Sequence, residues 1–195
     1  MKPEQNQAET RQHEDPKMEL IADGLWRIRL DWTVVWPFSI PVCMFLVKDS
    51  ETQYILIDSG HSSNTATLAP LVKQHLGDSG KLTYIAVTHG HIDHVSGISS
   101  LVQMYPECKV ALHEREAPFL LAPTPRKYAS LQGDHWRFKA AKHVLHESQV
   151  SVPEVQMIMV KEGQTLGRNL LCIETPGHTP GSMSYLHVPS GSLMV

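Results

Sequence analysis

The sequence predicts one domain that mixes strands and helices, α/β (α+β in some schemes). Three observations carry this. Short apolar runs of strand length recur along the chain, bounded by Gly, Pro, Asp and Ser turn signals. Between two such runs, residues 64–76 place Leu68, Leu71, Val72 and Leu76 at helical spacing. The 195 residues, 42% hydrophobic and 19% charged, suffice for one sizeable core, and no internal repeat divides them.

Residues 1–17 are polar and charged and read as a disordered tail, which places the domain at 18–195. Residues 21–30 alternate as a strand, and the aromatic stretch 32–38 reads as a connection. Residues 42–47 and 53–57 are apolar runs separated by Lys48-Asp49-Ser50-Glu51-Thr52, a β-hairpin pattern. Asp58-Ser59-Gly60 ends the second of these strands. The helix at 64–76 follows, with Gly77 as its stop signal. Residues 82–88 form a strand, 95–105 a short helix closed by Pro106, and 109–112 a short strand. Residues 114–149 read as helical but interrupted, with prolines at 118, 123 and 125. Strands are expected at 155–160, 169–174 and 183–188, and one more starts at Ser192.

Composition excludes several classes. A net charge of −3 without basic runs gives no surface for nucleic acid, and no apolar run approaches the ~20 residues that span a bilayer. No signal-peptide core precedes Met18. Cys43, Cys108 and Cys172 form no CxxC pair and read as buried or idle thiols of a reducing, cytoplasmic compartment. The expected partner is a small-molecule substrate.

The chemistry concentrates in Thr88-His89-Gly90-His91-Ile92-Asp93-His94, at the end of an apolar strand. Imidazole and carboxylate are the ligand mix zinc accepts. His89 and His91 are two apart, so in extended backbone both point one way and can aim at one metal. Asp93 and His94 fall just beyond and can aim at a second point. His178 sits in Pro176-Gly177-His178-Thr179-Pro180-Gly181, a loop stiffened by two prolines, and is a candidate third ligand for the first metal. Three neutral imidazoles with an open position are a catalytic zinc arrangement, in which bound water becomes hydroxide near neutral pH. His61, His75, His113, His135, His143, His146 and His187 read instead as solvated or hydrogen-bonded side chains.

The run Thr88-His89-Gly90-His91-Ile92-Asp93-His94 resembles the metal-binding signature of the metallo-β-lactamase fold superfamily. Leu56-Ile57-Asp58-Ser59-Gly60 resembles the strand-ending segment that precedes that signature. Thr175-Pro176-Gly177-His178-Thr179-Pro180-Gly181-Ser182 resembles the loop that carries the family's next histidine. The match covers residues 20–195. It implies a four-layer αββα sandwich with the site at one edge of the two sheets. His89, His91 and His178 would hold the first metal, and Asp93 and His94 would serve the second. Asp93 would also act catalytically by orienting the attacking hydroxide, and Asp58 would steady the ligand loop from behind. The superfamily includes thioesterases of the glyoxalase II type, lactonases, β-lactamases, nucleases and phosphodiesterases. Its iron-binding flavoprotein branch typically has an acidic residue where this chain has His91, which favours the hydrolase branch.

The resemblance also carries a departure. Family members usually continue into a Gly-Asp element whose aspartate bridges two metals, with a further histidine later. Here Gly77-Asp78 and Gly133-Asp134 both precede His178. The sequence therefore reads as roughly the first two-thirds of the domain, incomplete at the C-terminus. It is expected to hold one zinc where a full-length parent would hold two. The expected function is zinc-hydroxide hydrolysis of a small ester, thioester or lactone. The alternatives are an inert or weakly metal-binding fragment and a mononuclear iron oxygenase.

Overall fold

The computed structural model describes residues 18–35, 38–121, 150 and 152–195. The polar tail and residues 122–149 of the interrupted helical stretch, with His135, His143 and His146, lie outside the described residues. Seven strands form one sheet in chain order: β1 (Met18–Ala22), β2 (Leu25–Val35), β3 (Phe38–Lys48), β4 (Gln53–Ile57), β5 (Lys81–Ala86), β6 (Lys109–Leu112) and β7 (Met157–Met159). The first four pair antiparallel, and β4 through β7 pair parallel. A second, antiparallel sheet holds β8 (Thr165–Leu166), β9 (Leu170–Glu174), β10 (Met183–His187) and β11 (Ser192–Met194).

The switch from antiparallel to parallel pairing follows from the connections. A short hairpin can only reverse direction, whereas a helical crossover returns the chain parallel. Residues between β4 and β5 form the 3-10 turn Ser62–Asn64 and the helix α1 (Thr65–Leu76), which ends at Gly77. Between β5 and β6 lie α2 (Ile92–Val95) and α3 (Ile98–Met104). After β6 comes α4 (Ala117–Leu121).

The period-two alternation of the strands sorts side chains into two cores. Tyr54 and Leu56 of β4 join Leu68 and Val72 of α1 and Ile98 and Leu101 of α3 in a helix-side core. Ile55 and Ile57 face the other way, against Leu170, Cys172, Met183 and Tyr185 of the second sheet. A helical layer, a seven-stranded sheet and a four-stranded sheet therefore stack in that order, as an αββα-type sandwich requires. No helix among the described residues covers the outer face of the second sheet, and none is long and apolar enough to cross a membrane.

Four expectations need correction. Residues 32–35 and 38 are strand rather than connection: Trp32 pairs with Ile40 and Thr33 with Ser39. Trp32 and Val34 turn inward to the helix-side core while Thr33 stays exposed, the alternation of a strand. Residues 21–30 are broken by a turn at Asp23-Gly24, where Gly24 takes a left-handed backbone (φ 73°). The helix expected at 95–105 splits, because Ser96 Oγ accepts from the Ser62 amide and Gly97 donates to the Gly60 carbonyl. The strand expected at 155–160 starts later, after a 3-10 turn at Glu154–Gln156. Cys108 and Cys172 are buried and unpaired, and burial pushes their thiols up to about 12 and about 11.

Asp49 clasps the two sheets at the end away from the ligand loops. It follows β3 and is buried, and its Oδ1 accepts from the Arg168 amide at 2.5 Å and the Asn169 amide at 3.2 Å. Replacement by alanine leaves two amides of the β8–β9 turn without their acceptor. We expect Asp49→Ala to lower unfolding stability by about 2 kcal/mol. Urea denaturation followed by tryptophan fluorescence measures this.

Candidate metal centre

The ligand loop leaves the C-terminal end of β5, where a parallel strand hands the chain to a helix. Its position depends on Asp58, the residue that ends β4. Asp58 is buried and holds φ 58°, a left-handed conformation uncommon outside glycine. Its Oδ1 accepts from the Thr88 amide at 2.8 Å. Its Oδ2 accepts from the Thr88 hydroxyl at 2.7 Å and lies 2.7 Å from His94 Nδ1.

These contacts fix two histidine tautomers. The Thr88 hydroxyl has one proton and gives it to Asp58, an acceptor only. The Thr88 oxygen must then accept from its other neighbour, His89 Nδ1, at 3.0 Å. His89 Nε2 is left as a bare lone pair, buried and without a hydrogen-bond partner. His94 likewise donates Nδ1–H to Asp58, which in the neutral ring leaves Nε2 without a proton; Nε2 lies 3.7 Å from Asp93 Oδ2. An imidazole whose far nitrogen is held by a carboxylate or hydroxyl is how proteins prepare a metal ligand.

The nitrogens of His89, His91 and His178 that could serve as ligands all lie within 4.8 Å of one another. His91 Nδ1 and His178 Nε2 are 3.0 Å apart. Two ring nitrogens that close repel unless a proton or a cation lies between them. His89 is buried, His91 half-buried and His178 exposed, so the cluster opens to solvent on one side. The donor set is nitrogen-only, borderline-soft and convergent, which fits a zinc-like divalent ion.

Electrostatics favour the neutral forms of His89 and His91. Burial, then the neighbouring His94, His91 and His178, pull His89 down to about 2. Burial and His178 lower His91 as well, against a smaller opposing pull from Asp93. For His94, burial is the largest single effect and lowers it, but the Asp58 charge and hydrogen bond outweigh burial and raise it overall.

The structure brings together every residue singled out from the sequence. His89, His91 and His178 converge, Asp93 and His94 sit beside them on α2, and Asp58 lies behind the ligand loop. The other described histidines are occupied elsewhere. His61 stacks on Trp32 with ring centroids 4.7 Å apart, His75 packs edge-on to Trp26 at 4.2 Å, and His187 Nδ1 lies 2.8 Å from Ser190 Oγ. Sequence reasoning missed Thr88 as the link between Asp58 and His89, although its place beside the first histidine was a usable signal. It also missed Glu116, for which no local signal exists.

This fold, with three converging histidines that could hold a metal ion, points to one class of protein, and comparison agrees. The family model described as "Metallo-beta-lactamase superfamily" matches residues 37–193, and the chain belongs to that superfamily. An uncharacterized protein, YobT, of Bacillus subtilis (strain 168) is 33% identical over 159 residues, covering 82% of this chain and 62% of that protein. A hydroxyacylglutathione hydrolase of Nitrobacter hamburgensis is 33% identical over 117 residues, covering 60% of this chain and 34% of the relative. Among solved structures, a metallo-β-lactamase with a HARLDQ motif from Cronobacter sakazakii superposes with a TM-score of 0.63 at 24% identity. It covers 89% of this chain and 61% of its own, a likeness of fold alone. The chain thus spans less than two thirds of the length of each of these relatives.

The depressed histidines make the metal-free protein acid-sensitive. Below the ordinary value of 6.5 the unfolded chain takes up protons at His89 and His91 more readily than the folded chain, so stability falls as pH falls. His94 adds no slope there, because it is protonated in both states below 6.5. His89 alone contributes a loss of about 1.4 kcal/mol per pH unit below 6.5. Urea midpoints of metal-free protein at pH 7.5, 6.5 and 5.5 test this, and His89→Asn flattens the slope.

Proposed function

We propose that this chain carries the zinc site of a hydrolase acting on small ester, thioester or lactone substrates. The carrying observation is the unpartnered Nε2 of His89, held as a lone pair by the Asp58–Thr88 chain and aimed among His91 and His178. His89, His91 and His178 would hold the ion. When bound, zinc supplies Lewis acidity and brings the pKa of a water from 15.7 toward about 7.

The protein's own groups divide the remaining work. His94, oriented by Asp58, and Asp93, in the first turn of α2, face a second position beside the triad. Asp93 is the catalytic residue in this reading. Its carboxylate accepts a hydrogen bond from the attacking water and turns the oxygen lone pair toward the substrate carbonyl. The open side near exposed His178 admits substrate. Trp32 turns into the core, whereas Phe38 at the neighbouring strand end is exposed and able to contact an acyl group. The carbonyl-ester preference draws support from the hydroxyacylglutathione hydrolase relatives and from the lack of basic runs that a nucleic-acid backbone would require.

Asp93 and His94 offer two donors to that second position, too few to hold an ion tightly. We expect one tightly held zinc per chain by elemental analysis after dialysis, lost in His89→Ala. Thioester and lactone turnover, where present, falls at least about 100-fold in that variant. Two zincs retained per chain would overturn the single-site reading. Phosphodiester cleavage without any carboxyl-ester turnover would overturn the substrate class.

A further inference from the structure

The three imidazoles of the first site come from two loops far apart in sequence. His89 and His91 leave β5, while His178 lies between β9 and β10. Glu116 joins these loops. It is fully buried, and both of its oxygens are used. Oε2 accepts from the Gly90 amide at 2.8 Å. Oε1 accepts from the Gly181 amide at 2.8 Å and from the Thr179 hydroxyl at 2.8 Å. Gly90 sits between two of the histidines, and Thr179 follows the third directly.

The surrounding contacts make the same connection. A Cβ on Gly181 would lie 2.6 Å from Glu116 Oε1, and one on Gly90 would lie 2.8 Å from Phe119. Both loops therefore press against this segment closely enough to require glycine. Arg115 Nη1 also donates to the Pro180 carbonyl at 3.1 Å. A buried carboxylate is tolerated here because its donors satisfy it.

We propose that Glu116 is a positioning residue that sets the spacing between the two halves of the triad. It acts through Gly90 and through the Thr179–Gly181 turn, without touching metal or substrate. The proposal rests on the reading that His89, His91 and His178 bind zinc. Its chemistry is specific. Backbone N–H groups face both carboxylate oxygens, so the side chain must accept at both ends. A glutamine of the same shape turns its NH2 toward one of the two amides whichever way it flips, and so releases one loop. Aspartate is one methylene too short to reach both.

Glu116→Gln and the milder Thr179→Val, which removes one of the three donors to Glu116 together with the hydroxyl contact to Ser182, test this. Zinc affinity by chelator competition, the visible bands of the cobalt-substituted protein, and amide exchange in the metal-free protein are measured for both. Glu116→Gln is expected to weaken zinc binding about 10- to 100-fold, Thr179→Val less, with altered cobalt bands in each. Exchange at Gly90 or Gly181 accelerates while that of Cys172 in β9 does not. A lower melting temperature with zinc affinity within twofold of the parent would show a purely structural role and overturn the proposal. If Glu116→Gln does not fold, unchanged affinity and unchanged Gly181 exchange in Thr179→Val overturn it instead. A parent chain whose zinc binding is absent or insensitive to His89→Ala overturns the zinc reading and the positioning role that rests on it. The exchange data separately decide whether Glu116 ties the loops together.

Discussion

The site depends first on one buried carboxylate. Asp58 ends β4 in a left-handed backbone conformation, which turns its side chain back over the adjacent end of β5. There it receives three donors: an amide and a hydroxyl from Thr88 and a ring nitrogen from His94. A strained backbone of this kind persists only where its surroundings over-determine it, and three charge-assisted hydrogen bonds do so. From this follow the tautomers of His89 and His94. The parallel pairing of β4 with β5 is what brings residues thirty positions apart side by side.

The second sheet is tied to the same place. Met183 at the start of β10 donates its amide to the Thr88 carbonyl at 2.8 Å, and the fully buried Tyr185 hydroxyl donates to the Val87 carbonyl at 2.7 Å. The ligand loop is therefore pinned from both sheets, by Asp58 on one side and β10 on the other. The hydrophobic core between the sheets and the polar contacts above it share residues, so sheet packing and ligand geometry are one structural problem.

The sequence made the candidate ligands legible because their spacing is local. His89, His91, Asp93 and His94 fall in one short run, and a stiff Pro-Gly loop advertises His178. Most strands were readable for the same reason, from alternation over a few residues. What was not legible depends on contacts across the fold. Glu116 meets Gly90 across 26 positions and Gly181 across 65, and nothing in its immediate neighbours hints at either. The strand character of residues 32–35 was hidden because an aromatic run looks like a surface loop until the helix-side core is present to receive Trp32. The two-residue strand β8 is too short for any period, and only pairing with β9 defines it.

The graded burial of the triad has a kinetic consequence. His89 is buried and held by Thr88, while His178 stands in solvent just before a turn anchored to Glu116 and Arg115. For an ion held by this triad, the exposed imidazole would be the first to meet a chelator or competing thiolate, and the buried one the last. Slow exchange of an ion held there would require the turn after His178 to stay in place, which ties residence time to the Glu116 contacts as well as to the Thr88–His89 bond.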